Sequence, residues 1–131
     1  MNVERKEIET PNDCIRAELF RFRKKTLLKY NDTAVIVSTV GIMNFPMGES
    51  VLAEKFNVNP NMFKQIGHDR YYETMVFYAD PNDDVDVTRE IEFESEWSID
   101  HLDADNEAIA MHENVIREIS KRLSEGEFND N

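Results

Sequence analysis

Glutamate occupies every second position of the stretch EIEFESEW, as Glu90, Glu92, Glu94 and Glu96. Alternate side chains of an extended strand leave the same face about 7 Å apart, so the spacing predicts a row of carboxylates. Asp80, Asp83, Asp84 and Asp86 stand just before the row, and Asp100, Asp103 and Asp105 just after it. The chemistry on offer is electrostatic: such a surface repels phosphate and attracts a basic protein surface. Two unit charges at that spacing repel by roughly 0.6 kcal/mol in water before salt screening, so folding tolerates the row. Two readings stay open. One is a solvated strand face that also discourages edge-to-edge pairing. The other is a docking face that imitates a nucleic-acid backbone and occupies the basic groove of a nuclease, transcription factor or defence protein.

A second group of candidates centres on His112. It falls on the apolar stripe of the last helical segment, where a histidine usually hydrogen-bonds a buried partner. Glu73 and Thr74, in the strand YYETMVFYA, are candidate partners, and Glu113 is adjacent. A Glu–His pair could also serve as a general base or as part of a metal site, though no nucleophile or third ligand stands nearby in the sequence. His68 and His101 complete the histidines, and their spacing supports no zinc site. The loop from Asp80 to Asp86 matches the first, third and fifth positions of a calcium loop with Asp80, Asn82 and Asp84. It fails at the sixth (Val85) and twelfth (Ile91), where glycine and glutamate are needed. Cys14 is the one cysteine, so an intramolecular disulfide is impossible and a reducing compartment is expected. No phosphate-binding, dinucleotide-binding or metalloprotease motif occurs, and neither a catalytic site nor a cofactor is expected.

These residues need elements to position them. The first ten residues read as loose, and Asn12 or Asp13 after Pro11 as a helix cap. Ile15, Leu19 and Phe22 would form one helix face, although the alternation in LFRFR also fits a strand. TLLKY-ND-TAVIVSTVGI reads as a hairpin around Asn31-Asp32, with Gly41 ending or bulging its second strand. A short helix over 48–56 and a long connection to Arg70 follow. Residues 71–79 form a strand and 87–99 its partner, with Val87, Ile91, Phe93, Trp97 and Ile99 inward and the glutamates outward; Arg89 and Ser95 break the inward stripe. A last helix starts near Asp103 or Asp105, with Ile109, His112, Ile116, Ile119 and Leu123 on one face, and residues 125–131 read as a fraying tail. The expected fold is a single α+β domain of two layers, a mostly antiparallel sheet of about four strands with the C-terminal helix on one face.

Three segments in order, VSTVGIMNF (37–45), YYETMVFYAD (71–80) and DNEAIAMHENVI (105–116), resemble a group of small uncharacterised phage and prophage proteins with a VSTV-type strand, an ETMVF strand and a later EA-xxx-HE helix. The chain departs from that pattern in a longer connection between the first two motifs and in Ala110-Met111 before the histidine, where glycine is common. The resemblance implies a phage origin and a shared fold, and places the group's recurrent polar positions at Glu73, Thr74, His112 and Glu113. It implies no mechanism.

Charge sharpens the expectation. Between Asp80 and Glu107, twelve carboxylates face Arg89 alone, so almost all of the net charge of −12 lies there. The segment 15–29 is locally basic through Arg16, Arg21, Arg23, Lys24, Lys25 and Lys29, either a solvated face, a patch partly neutralised by the acidic region, or a nucleic-acid patch that so acidic a domain opposes. No apolar run is long enough for a bilayer. The expected protein is a phage accessory factor in the cytoplasm of an infected or lysogenic bacterium. It binds, and in one version inhibits, a host protein with a basic surface. The alternatives are a small enzyme or metal protein centred on His112 and Glu73, and a virion assembly component.

Overall fold

The computed structural model describes residues 3–8, 20–43 and 49–128. The elements are β1 (Glu4–Ile8), β2 (Phe20–Tyr30), β3 (Thr33–Met43), α1 (Glu49–Phe56), a 3-10 turn (Pro60–Lys64), β4 (Tyr72–Ala79), β5 (Val85–Ile91), β6 (Ser98–Ile99) and α2 (Asp105–Ser124). The protein is α+β: an open antiparallel sheet in the order β1-β2-β3-β4-β5, with β6 beside β4 and α2 across one face. The sheet therefore has six strands rather than about four. One extra strand is β1, which lies in the segment expected to be loose. It pairs residue for residue with Thr26–Lys29 and Lys25 of β2, and its alternation turns Arg5 and Glu7 toward the helix side.

The β2–β3 hairpin turns on Asn31, at φ 54°, with Tyr30 opposite Thr33. Phe22 belongs to β2 and not to a helix, so the alternation in LFRFR outweighs the three-four spacing from residue 20 onward. The helix cap at Asn12 or Asp13, and Cys14, Ile15 and Leu19, lie outside the described residues. Gly41 neither ends nor bulges β3, which continues to Met43. A Cβ at Gly41 would lie 2.3 Å from the ring of Tyr72, a fully buried side chain; the glycine makes room for that ring. The left-handed backbone sits at Ile42, φ 57°, an unfavourable conformation for a β-branched residue.

One core cluster joins Leu28, Val35, Val37, Val76 and Ile91 to Val115, Ile116, Ile119 and Leu123 of α2. A second joins Ile42, Tyr72 and Ile99 to Ala104, Ala108 and Met111. Ala104 and Ala108 let the first turn of α2 approach Tyr72, whose hydroxyl accepts from the Ala104 backbone N–H (3.1 Å) and donates to Asp105 (2.6 Å). The helix meets the sheet on Ala108, Met111 and Val115, and Ile109, expected inward, is 42% exposed. Residues 125–128 are not a fraying tail. Glu127 N–H bonds the Arg122 carbonyl across Gly126, at φ 75°, a glycine C-terminus, and Phe128 packs edge-on against Tyr78.

Candidate functional site

The acidic region divides in two. Its first half builds a turn. Asp80 Oδ1 accepts from the backbone N–H groups of Asn82 (2.8 Å) and Asp84 (3.0 Å). Asp83 reaches Lys29 at 2.9 Å and Asp84 reaches Lys25 at 3.3 Å, which draws the turn onto the face of β2 opposite α2. There Leu27, Ile36 and Ala79 form a third apolar cluster with Val85. Asp86 accepts from Thr88 (2.6 Å) and Arg89 (2.8 Å). The Val85 backbone N–H and Lys25 hold the Asp84 carboxyl below its usual range, and Thr88 and Arg89 hold Asp86 down at about 2. Four of the eight carboxylates expected to meet a partner are thus engaged internally, Asp83 and Asp84 by lysines of β2, Asp80 by backbone N–H groups of its own turn and Asp86 by Thr88 and Arg89. Two lysines of the basic segment are neutralised in the same contact.

The glutamates of the second half are exposed, and only Glu90 among them lies in a strand. β5 ends at Ile91, and residues 92–97 leave the sheet. They are held on α2 by Glu118, whose carboxylate accepts from Glu94 N–H (2.9 Å), Ser95 N–H (2.8 Å) and Ser95 Oγ (2.5 Å). Arg122 donates to the Glu92 carbonyl at 2.9 Å. Phe93 packs on the main core. Burial alone would raise the Glu118 pKa, but the bonds from Ser95 and the two backbone N–H groups outweigh it and lower it. The chain then returns: Thr74 N–H bonds the Trp97 carbonyl at 2.7 Å, and β6 pairs with Tyr72 and Glu73. The expected single strand over 87–99 is therefore two strands with a loop between them. Val87, expected inward, is 75% exposed, and Trp97 is 44% exposed. Glu90, Glu92, Glu94 and Glu96 are all exposed, and none of their carboxylates bonds another described residue. Glu118 was missed by sequence reasoning; the one signal was Ser95, a polar break in an apolar stripe.

His112 lies in a different setting. It is fully buried with Thr26, Thr39 and Thr74. Its Nε2 is 2.8 Å from Thr26 Oγ1 and its Nδ1 2.7 Å from Thr39 Oγ1, which is 2.6 Å from Thr74 Oγ1. Thr26 donates to Glu7 at 2.7 Å. Burial raises the Glu7 pKa, but the bonds from Thr26 and Arg5 overcome this and hold it below its ordinary value, so it is a carboxylate that only accepts. That fixes the direction of the chain. Thr26 spends its one proton on Glu7 and must accept from His112 Nε2–H. Nδ1 then accepts from Thr39, and Thr39 accepts from Thr74. Burial, reinforced by the nearby Lys24, depresses the His112 pKa to about 4 and keeps the ring neutral. Thr74 thus joins the histidine through Thr39. Glu73 does not: the next residue along β4, it leaves the opposite face and lies 3.2 Å from Arg70. Glu113 pairs with Arg5 through two bonds of 2.7 and 2.5 Å at the rim of α2. Thr26, Thr39, Glu7 and Arg5 were not singled out from the sequence, since nothing local links residues of β1, β2, β3 and α2.

The other histidines are exposed. His68 is 3.2 Å from Asp69, and His101 sits between Asp100 (3.1 Å) and Glu107 (2.5 Å). Among the described residues, no group of three or more His, Cys, Asp or Glu side chains is placed to hold a metal ion. Among them also, no helix is long and apolar enough to cross a membrane. No protein family, curated protein or solved structure matches the chain.

Proposed function

We propose that this protein is a phage-encoded accessory factor that docks on a basic surface of a host protein through the acidic edge between β5 and β6. One observation carries the reading: Glu90, Glu92, Glu94 and Glu96 remain exposed without a counterion among the described residues, while Asp83, Asp84 and Asp86, neighbours in sequence, are each paired with a lysine or arginine. Exposed acids concentrated from the end of β5 through the loop 92–97 give a surface that speeds and orients encounter with positive charge. The half-exposed Trp97 beside them supplies an aromatic anchor of the kind that dominates interface energetics. The regular strand spacing of a phosphate mimic does not continue past Ile91, so the reading is a compact acidic knob rather than a ladder of charges. His112 supports this division of labour. Both its ring nitrogens are occupied and it has no accessible surface, which suits a core hydrogen-bonding group and leaves a substrate no approach.

The test is capture from bacterial lysate at low and moderate salt, comparing the wild-type chain with a variant carrying Gln at positions 90, 92, 94 and 96. The expected result is a host protein with a basic surface retained by wild type at low salt and released by the variant. Equal capture by both chains would reduce the glutamates to a solvated edge.

A further inference from the structure

The break between β5 and β6 leaves a groove of about 500 Å³ along the edge of β4, lined by Arg70, Glu73, Met75, Glu90, Glu92 and Trp97. One guanidinium already sits there. Arg70 Cζ is 5.3 Å from the centroid of the Trp97 ring, and Arg70 Nε is 3.2 Å from Glu73 Oε2. This seat is built into the fold: a Cβ at Gly67 would lie 2.3 Å from the Arg70 guanidinium, so the chain makes room for it. The pairing is incomplete. Arg70 Nε is buried, and its contact with Glu73 is an ion pair without hydrogen-bond alignment. One cation therefore faces three carboxylates, of which Glu90 and Glu92 have no counterion among the described residues, beside a tryptophan that keeps 44% of its surface.

Resting on the reading above, we infer that this groove is the subsite that receives an arginine side chain of the partner; Arg70 shows that a guanidinium fits against the Trp97 ring there. The argument is complementarity of two kinds. A planar guanidinium stacks on an indole and gives two parallel bonds to a carboxylate, whereas an ammonium is a hydrated point charge that does neither as well. The groove offers both surfaces side by side, an indole and carboxylates, and one guanidinium against three carboxylates leaves a negative balance that favours a further cation. Glu94 and Glu96, outside the groove, attract the partner; Glu90, Glu92 and Trp97 select what enters.

Trp97 is the one tryptophan of the chain, so its emission reports on the groove directly. Hexa-arginine and hexa-lysine, both capped at their ends, would be titrated into the full-length protein at low salt and followed by Trp97 fluorescence and by calorimetry. Hexa-arginine is expected to change the emission saturably and to bind several-fold more tightly than hexa-lysine. The Glu90→Gln/Glu92→Gln variant should weaken hexa-arginine about tenfold, the size of one lost charge-assisted bond, and erase most of the preference. Both carboxylates are exposed, so circular dichroism should show the fold unchanged. Equal affinity for the two peptides, or an unchanged Trp97 signal, would overturn the inference. A loss of binding confined to Glu94→Gln/Glu96→Gln would overturn the groove and leave the acidic docking edge standing. Absence of binding by either peptide, with host-protein capture still dependent on the glutamates, would do the same.

Discussion

At the scale of single residues, His112 decides the polar interior. The chain Thr74–Thr39–His112–Thr26–Glu7 satisfies every side-chain donor with one direction of proton donation. It requires the Nε2–H tautomer, which the ¹⁵N shifts of the ring would report. It also has a pH signature. Between the ordinary histidine value of 6.5 and about 4, the unfolded chain binds a proton at His112 that the folded protein does not, so stability falls as pH falls through that window. A shift of this size corresponds to about 3 kcal/mol lost over the whole window. The charged groups around the ring are Glu7, Arg5, Lys24 and Glu113. The carboxyls of Glu7 and Glu113 are held below 4.5, so the stability they contribute is present above that value and is lost in turn as pH falls further. Chemical denaturation of His112→Gln across pH 4.5–7 should show a flatter dependence than wild type. An unchanged slope would mean that the histidine is not the group that titrates. His101, raised by its bonds to Glu107 and Asp100, should titrate above 6.5 in the same NMR series.

At the scale of elements, the loop 92–97 shows how one side chain on α2 redirects a strand. Alternation alone would carry β5 through to Ile99. Glu118 instead offers its carboxylate to two consecutive backbone N–H groups and the Ser95 hydroxyl, and bonds to an ionised acceptor are stronger than neutral ones. The loop is tied further by Arg122 on the Glu92 carbonyl. Replacing Glu118 by Ala should leave the sheet and helix in place, cost about 1–3 kcal/mol, and raise amide hydrogen exchange at Glu94 and Ser95 by an order of magnitude or more. Slow exchange at both positions in the variant would show that the loop holds its shape without the helix. If the loop loosens, the acidic knob and the groove beside it should lose affinity together, which links the fold of this element to the proposed docking edge.

At the scale of the whole molecule, the charge of −12 serves two purposes. Its paired part closes the structure: the turn after β4 rests on Lys25 and Lys29, and β1 is tied to α2 through Arg5 and Glu113. The carboxylates of Glu90, Glu92, Glu94 and Glu96, which bond no other described residue, contribute nothing visible to the fold and add self-repulsion. The variant with Gln at 90, 92, 94 and 96 should therefore match wild-type stability or exceed it by up to about 1 kcal/mol at low salt, and the difference should vanish at about 0.5 M salt as screening removes it. Destabilisation of that variant would mean that the glutamates hold the structure, and the docking proposal would lose its basis.

Much of this architecture was legible in the sequence because it is local. β-branched runs, the Asn31-Asp32 turn and a three-four apolar spacing report on neighbours along the chain, and they located the β2–β3 hairpin, β4 and α2. The placement of His112 on a buried face was legible for the same reason. What the sequence could not carry were contacts between distant segments. The pairing of β1 with β2, the capture of residues 92–97 by Glu118, the neutralisation of Asp83 and Asp84 by lysines over fifty residues earlier, and the threonines around His112 all join groups whose local surroundings look ordinary. Local propensity sets which segments extend and which coil. Which acid meets a base, and which stays free to meet another protein, is decided only when the sheet brings them within bonding distance.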